Sequence, residues 1–134
     1  MRAAFLLFAL LLGFAAPACA DDIAAAQSVI RSQEQALVRD DAAAAYAFAA
    51  PELQRMFGDP DTFMNMVRNG YAPVYRHKSF EFRDFRSNDG RIEQDVRIVD
   101  SNGVPWDAHY FLEPQPDGSL KIIGCTLKAV GSSA

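Results

Sequence analysis

The chain predicts an α+β domain in which N-terminal helices lie on a curved antiparallel β-meander of about four strands, preceded by a cleaved signal peptide. Three observations predict the folded part. Apolar residues recur at helical spacing up to residue 70, and from residue 71 the period changes to two. The later segments are joined by short turns built from Gly, Asn and Asp, which link antiparallel neighbours, whereas parallel neighbours need long crossovers. Helices segregated ahead of such a sheet cover one of its faces.

Residues 1–20 read as a secretory leader. Met1-Arg2 is a short positive start, Ala3 to Ala15 is an almost unbroken apolar run, and Ala18-Cys19-Ala20 has the small-x-small pattern of a cleavage site before Asp21-Asp22. The run is shorter than the ~20 residues of a comfortable membrane span, and no second hydrophobic segment follows. Cleavage after Ala20 is expected to release an exported soluble domain, periplasmic or secreted, from Asp21 to Ala134, with its core at 23–128 and a frayed tail at 131–134. Acylation of Cys19, tethering the domain, is the competing reading, although Ala16-Pro17-Ala18 lacks the large aliphatic residue expected before a lipidated cysteine.

Asp22 is placed to cap a first helix whose residues Ile23, Ala26, Ile30 and Leu37 share a face, with Arg31, Ser32, Glu34 and Gln35 largely elsewhere. Asp40-Asp41 closes that helix and caps an alanine-rich one, Ala42 to Ala50. Pro51 permits a short helix through Phe57, ended by Gly58. Asp59-Pro60-Asp61 starts another, with Phe63, Met66 and Val67 as its apolar face and Asn69-Gly70 as its stop. Tyr71 to His77 is expected to be a short extended segment, kept at an edge by Pro73. Ser79 to Phe85 and Ile92 to Val99 then alternate on either side of an Asn88-Asp89-Gly90 turn. Asn102-Gly103 signals a short hairpin into Pro105 to Glu113, and Pro116-Asp117-Gly118 turns the chain into the last strand, Leu120 to Val130.

Removal of the leader leaves 114 of 134 residues, enough for one domain and too few for two. Export also removes Arg2, so 12 basic residues face 17 acidic ones, a formal charge of −5. No run of Lys or Arg appears, which argues against a nucleic-acid partner. Of the two cysteines only Cys125 survives cleavage, so no internal disulfide can form. Its apolar setting, Ile122-Ile123-Gly124-Cys125-Thr126-Leu127, suits a small core residue, with an intermolecular bridge or a reactive thiol as the alternatives.

Three patches carry a resemblance. They are Phe63-x-x-Met66-Val67-x-x-Gly70-Tyr71-x-Pro73-Val74, Gly103-x-x-Trp106-x-Ala108-x-Tyr110, and Asp117-Gly118-Ser119-Leu120-Lys121-Ile122-x-Gly124-Cys125. With the order of helices then sheet, the chain is similar to an uncharacterised bacterial family, domain of unknown function 4864, and resembles the nuclear-transport-factor-two-like superfamily across Ile23 to Lys128. Leu120 departs from that pattern, where a bulkier Trp is expected. The resemblance implies a cone-like fold with a pocket between helices and concave sheet. It implies no particular chemistry, because the superfamily hosts isomerases, dehydratases, hydrolases, transport factors and binding modules.

Candidate chemistry is sparse. The two histidines, His77 and His109, lie 32 residues apart with no HExxH, CxxC or HxH spacing, so neither a metal site nor a cofactor is expected. No serine lies in a GxSxG elbow, and no Gly-rich phosphate loop occurs. In the Trp106 to Glu113 strand, the set Trp106, Ala108, Tyr110 and Leu112 looks core-facing, which leaves Asp107 and His109 on the outer face. The opposite parity would bury Asp107 and His109, with Asp95 beside them, as an acid–base pair. Tyr46, Tyr71, Trp106 and Tyr110 are the candidate lining of a ligand pocket, since tyrosine carries a polar handle into apolar surroundings. Phe85 and Phe111 are read as outer residues that could support a homodimer. The expected function is a non-catalytic binding module for a small apolar or amphipathic ligand or a protein partner. A cavity-based acid–base enzyme and a homodimeric interaction protein are the alternatives.

Overall fold

The computed structural model of the chain describes residues 18–131, with side chains from residue 20 onward. The leader at 1–17, the Cys19 side chain and residues 132–134 of the expected tail lie outside the described residues. The element order is α1 (Ala18–Val38), α2 (Ala42–Ala47), α3 (Pro51–Phe57), α4 (Pro60–Gly70), α5 (Ala72–Tyr75), β1 (His77–Asn88), β2 (Arg91–Asp100), β3 (Pro105–Pro114) and β4 (Leu120–Ala129). The four strands form one antiparallel meander in chain order. Among the described residues no helix is long and apolar enough to cross a membrane.

The helix signals hold at most boundaries. Asp41 caps α2 by accepting from Ala44 N, and Asp59 caps α4 by accepting from Thr62 N. Gly58, with φ at +85°, ends α3 in a conformation that a side chain would strain. Three readings change. α2 ends at Ala47 instead of Ala50, because Phe48 and Ala50 pair with Ile122 of β4. α1 already includes Ala18, the first described residue, ahead of the expected Asp22 cap, because Ala18 to Asp22 contains no residue that interrupts a helix. Within Tyr71 to His77, Ala72–Tyr75 is not extended but forms a helical turn with Pro73 in its first turn, where proline's missing N–H costs nothing.

The sheet bends through irregularities that a strict period of two does not contain. β1 shifts register between His77 and Ser79 and again between Phe82 and Phe85, and β4 carries an extra residue opposite Phe111–Leu112. The second shift has a consequence for Phe85. An undisturbed strand would send Phe82 and Phe85 to opposite faces, but the bulge pairs Phe85 with Gln94, an inward residue, so Phe85 packs against the core. Its reading as an outer residue is therefore corrected. Gln94 is fully buried and its amide stabilises the bulge, donating to the Arg83 and Asp84 carbonyls at 3.1 and 3.3 Å.

The core forms where the inward rows of β2 and β3 meet the helices. Ile92, Val96, Ile98, Ala108, Tyr110 and Leu112 are buried against Ala26, Ile30 and Leu37 of α1 and against Phe63, Met64 and Val67 of α4. Ala49 bridges in parallel to Ile122, so the α2–α3 connection covers part of the free edge of β4.

Candidate functional site

A cavity of about 230 Å³ lies between α3, α4 and α5 and the concave face of β3 and β4. Its walls are apolar: Leu53 and Phe57 from α3, Phe63 and Val67 from α4, and Ile122 from β4. Met56, 72% exposed, stands on its lining as the most solvent-facing large apolar side chain of α3. That space exceeds the ~150 Å³ that holds benzene in an apolar protein interior.

Four neutral polar groups interrupt the apolar lining: Gln33, Tyr71, Tyr110 and Cys125. The Tyr71 hydroxyl donates to the Cys125 main-chain oxygen at 2.9 Å. The Gln33 amide nitrogen donates to the Ala45 oxygen at 3.2 Å, tying α1 to α2. Tyr110 is 2% exposed, and the side chain beside its hydroxyl is the Cys125 thiol. Burial pushes the Tyr110 hydroxyl well above its ordinary range and, at the half-buried Cys125, pushes the thiol up to about 12. Desolvation likewise raises Tyr71. None of these groups is ionised near neutral pH, and no charged side chain lines the cavity among the described residues.

The candidate pocket residues divide. Tyr71 and Tyr110 line the cavity; Tyr46 and Trp106 do not. The Tyr46 hydroxyl donates to the Gln54 oxygen, and Gln54 Nε2 returns a 3.0 Å bond to the Tyr46 oxygen, so this pair clasps α3 to α2. Trp106 is half-buried at the β2–β3 hairpin, where its Nε1 donates to Asp100 Oδ2 at 2.9 Å.

The Trp106 to Glu113 strand turns Ala108, Tyr110 and Leu112 inward and Asp107 and His109 outward. Asp107 is exposed and pairs with Arg97 at 2.8 Å. His109 Nδ1 lies 2.7 Å from Asp95 Oδ1, and Arg86 grips Asp95 with two bonds of 3.0 and 3.1 Å while also reaching Glu93. Hydrogen bonding from Arg86 holds Glu93 below the usual carboxylate range. These candidates therefore form an arginine-neutralised cluster on the outer face, away from the cavity. The outer-facing Phe111 is half-buried beneath neighbours, with the His109 ring 4.7 Å from its own. No group of three or more metal-ligating side chains occurs among the described residues.

Two features escaped the sequence reading. Gln33 was legible, since Ile30, Gln33 and Leu37 fall at i, i+3 and i+7 on one helix face. Glu34 was assigned away from the apolar face, yet it is 9% exposed. Its carboxylate is held by Arg31 Nη1 at 3.1 and 3.2 Å and lies 3.6 Å from His77 Nε2, while His77 Nδ1 meets the Pro73 oxygen at 3.0 Å. Arg31, one turn back on the same helix, and His77 of β1 make that burial tolerable; the Arg31 pair is a local i, i+3 signal, whereas no local pattern announces His77.

Residues 20–134 match the profile of a family described as "Domain of unknown function (DUF4864)". No curated protein matches the chain. Among solved structures, an NTF-2-like protein of unknown function from Silicibacter pomeroyi is 15% identical, with a TM-score of 0.58 over 83% of this chain and 98% of that one. A protein from Catenulispora acidiphila is 13% identical, with a TM-score of 0.57 over 84% and 94% of the two chains. Aln2 from a Streptomyces species is 11% identical, with a TM-score of 0.55 over 81% and 90%. At these identities the likeness is one of fold.

Proposed function

The chain belongs to the DUF4864 family, with an NTF2-like fold, and from that premise we propose that it is an exported, non-catalytic protein that binds a small apolar or amphipathic molecule in the cavity between helices and sheet. The leader, cut after Ala20, supplies the export. The observation that carries the reading is the pairing of an apolar cavity with a floor of neutral polar groups, Tyr110 and Cys125. With the thiol pushed up to about 12 and the Tyr110 hydroxyl raised by burial, neither acts as a nucleophile or base near neutral pH. The ionisable candidates Asp95, Asp107 and His109 sit on the opposite sheet face, which favours binding over acid–base turnover.

A thermal-shift screen of small neutral aromatics and alcohols tests the proposal, because a ligand that binds the folded state raises the melting temperature by mass action. Hits are expected, and Leu53→Trp, which fills the cavity from α3, is expected to abolish their shifts. Shifts that survive Leu53→Trp place binding elsewhere and sink the proposal.

A further inference from the structure

We infer that the cavity selects an uncharged ligand whose polar tip accepts a hydrogen bond, a carbonyl, ether or hydroxyl oxygen on an apolar body, with the Tyr110 hydroxyl as donor. The inference rests on the binding function proposed above and narrows its ligand class.

The cavity's side-chain chemistry argues for neutrality. Among the described residues its lining holds no Lys, Arg, His, Asp or Glu, so a carboxylate or ammonium entering it loses hydration without gaining an opposite charge. The floor groups cannot adapt by ionising, because burial holds Tyr110 and Cys125 in their protonated forms. A charged tip would therefore touch only neutral lining groups, and Glu34, whose charge reaches Tyr110 from outside the lining, is already paired with Arg31.

Hydrogen-bond accounting argues for an acceptor. Tyr71 has spent its one proton on the Cys125 main-chain oxygen, and Gln33 has spent one of its two amide protons on the Ala45 oxygen. Tyr110 differs from both. Its hydroxyl makes no hydrogen bond among the described residues; the side chain beside it is the Cys125 thiol, which itself faces the Thr126 oxygen, and sulfur is a weak acceptor that an incoming oxygen outcompetes. The hydroxyl is also not sealed away, since no buried side-chain oxygen or nitrogen among the described residues is left without a partner or an opening. A buried phenol with a weakly held proton, beside an apolar space, is the donor that fixes a ligand's orientation.

Four probes of one shape separate the possibilities: acetophenone, isopropylbenzene, benzoate and benzamidinium place the same number of heavy atoms on a phenyl ring. Their affinities for the purified protein are read by ligand-observed NMR. Acetophenone is expected to bind about three- to tenfold more tightly than isopropylbenzene, the worth of one neutral hydrogen bond. Benzoate and benzamidinium are expected to bind at least about tenfold more weakly than acetophenone. Tyr110→Phe, which keeps the ring volume, should erase the preference for acetophenone; if that variant does not fold, the ranking in the unaltered protein decides. Equal binding of acetophenone and isopropylbenzene overturns the assigned donor. A charged probe that binds as tightly as acetophenone overturns the selection for neutrality and leaves the binding function standing. Failure of all four probes to bind overturns both.

Discussion

The Tyr71 hydroxyl donates a 2.9 Å hydrogen bond to the main-chain oxygen of Cys125. This one bond ties the junction of α4 and α5 to the free edge of β4 and so links a wall of the cavity to its floor. Tyr71→Phe keeps the ring and removes only that link. The expected loss is about 1 kcal/mol, typical of a neutral hydrogen bond at a partly exposed site, read as a lower urea midpoint with an unchanged slope.

Gln94 tests the bulge. The two protons of its buried amide nitrogen are shared among three main-chain oxygens, those of Arg83, Asp84 and Asp95, and its oxygen accepts from Gln27. Gln94→Leu leaves part-buried acceptors at the bulge without this partner, at about 1–3 kcal/mol for each group left unpaired. A loss of roughly 3 kcal/mol is expected from urea denaturation, far above that of Tyr71→Phe. A loss equal to or below the Tyr71→Phe value removes the bulge's dependence on this side chain.

The thiol prediction has a definite sign. Burial raises Cys125 from an ordinary value of 9.0 to about 12, so between those values the unfolded chain has lost a proton that the folded chain retains. Stability from this group is present below pH 9.0 and declines as pH rises toward about 12. At neutral pH the folded protein should react with a disulfide reagent only slowly, and reaction should become fast in denaturing urea. Rapid stoichiometric labelling of the folded protein at neutral pH contradicts a desolvated thiol.

At the β2–β3 loop, Asp100 accepts from Trp106 Nε1 and from the Asn102 and Val104 nitrogens. The Trp106 bond, with the two main-chain bonds behind it, holds the carboxylate below its usual 3.8. A depressed carboxylate stabilises the fold above its unfolded pKa, and that contribution is lost as pH falls through the folded value. Trp106 is the one tryptophan of the chain and reports the event directly. Its fluorescence should titrate at a pH below the ordinary aspartate range in the unaltered protein, and Asp100→Asn should remove that transition.

Legibility followed the range of the forces involved. Capping by Asp41 and Asp59, the Asp89-Gly90 turn and the inward row Ala108-Tyr110-Leu112 rest on local pattern, and the structure reproduces them. Phe85 was misplaced because a bulge changes face without leaving a mark in residue type. Pro73 suggested an extended edge, yet the same fixed φ also suits a helix's first turn, and packing of Val74 into the core chose between them. Tyr71 and Tyr110 were legible as polar handles in apolar strands or helix ends. Tyr46 and Trp106 share that composition, but their polar ends are taken by near neighbours in the chain, Gln54 and Asp100, away from the cavity.

The methionines provide the most direct test of the binding cavity. Met56 and Met66 line it, whereas Met64 is buried in the core beside it and serves as an internal control. In protein labelled at the methionine methyl carbons, acetophenone is added while the three methyl signals are followed by NMR. The signals of Met56 and Met66 should shift in a saturable way while that of Met64 stays in place. Unmoved Met56 and Met66 signals at saturating probe, or a shift confined to Met64, would contradict a ligand-binding cavity at this place in the fold.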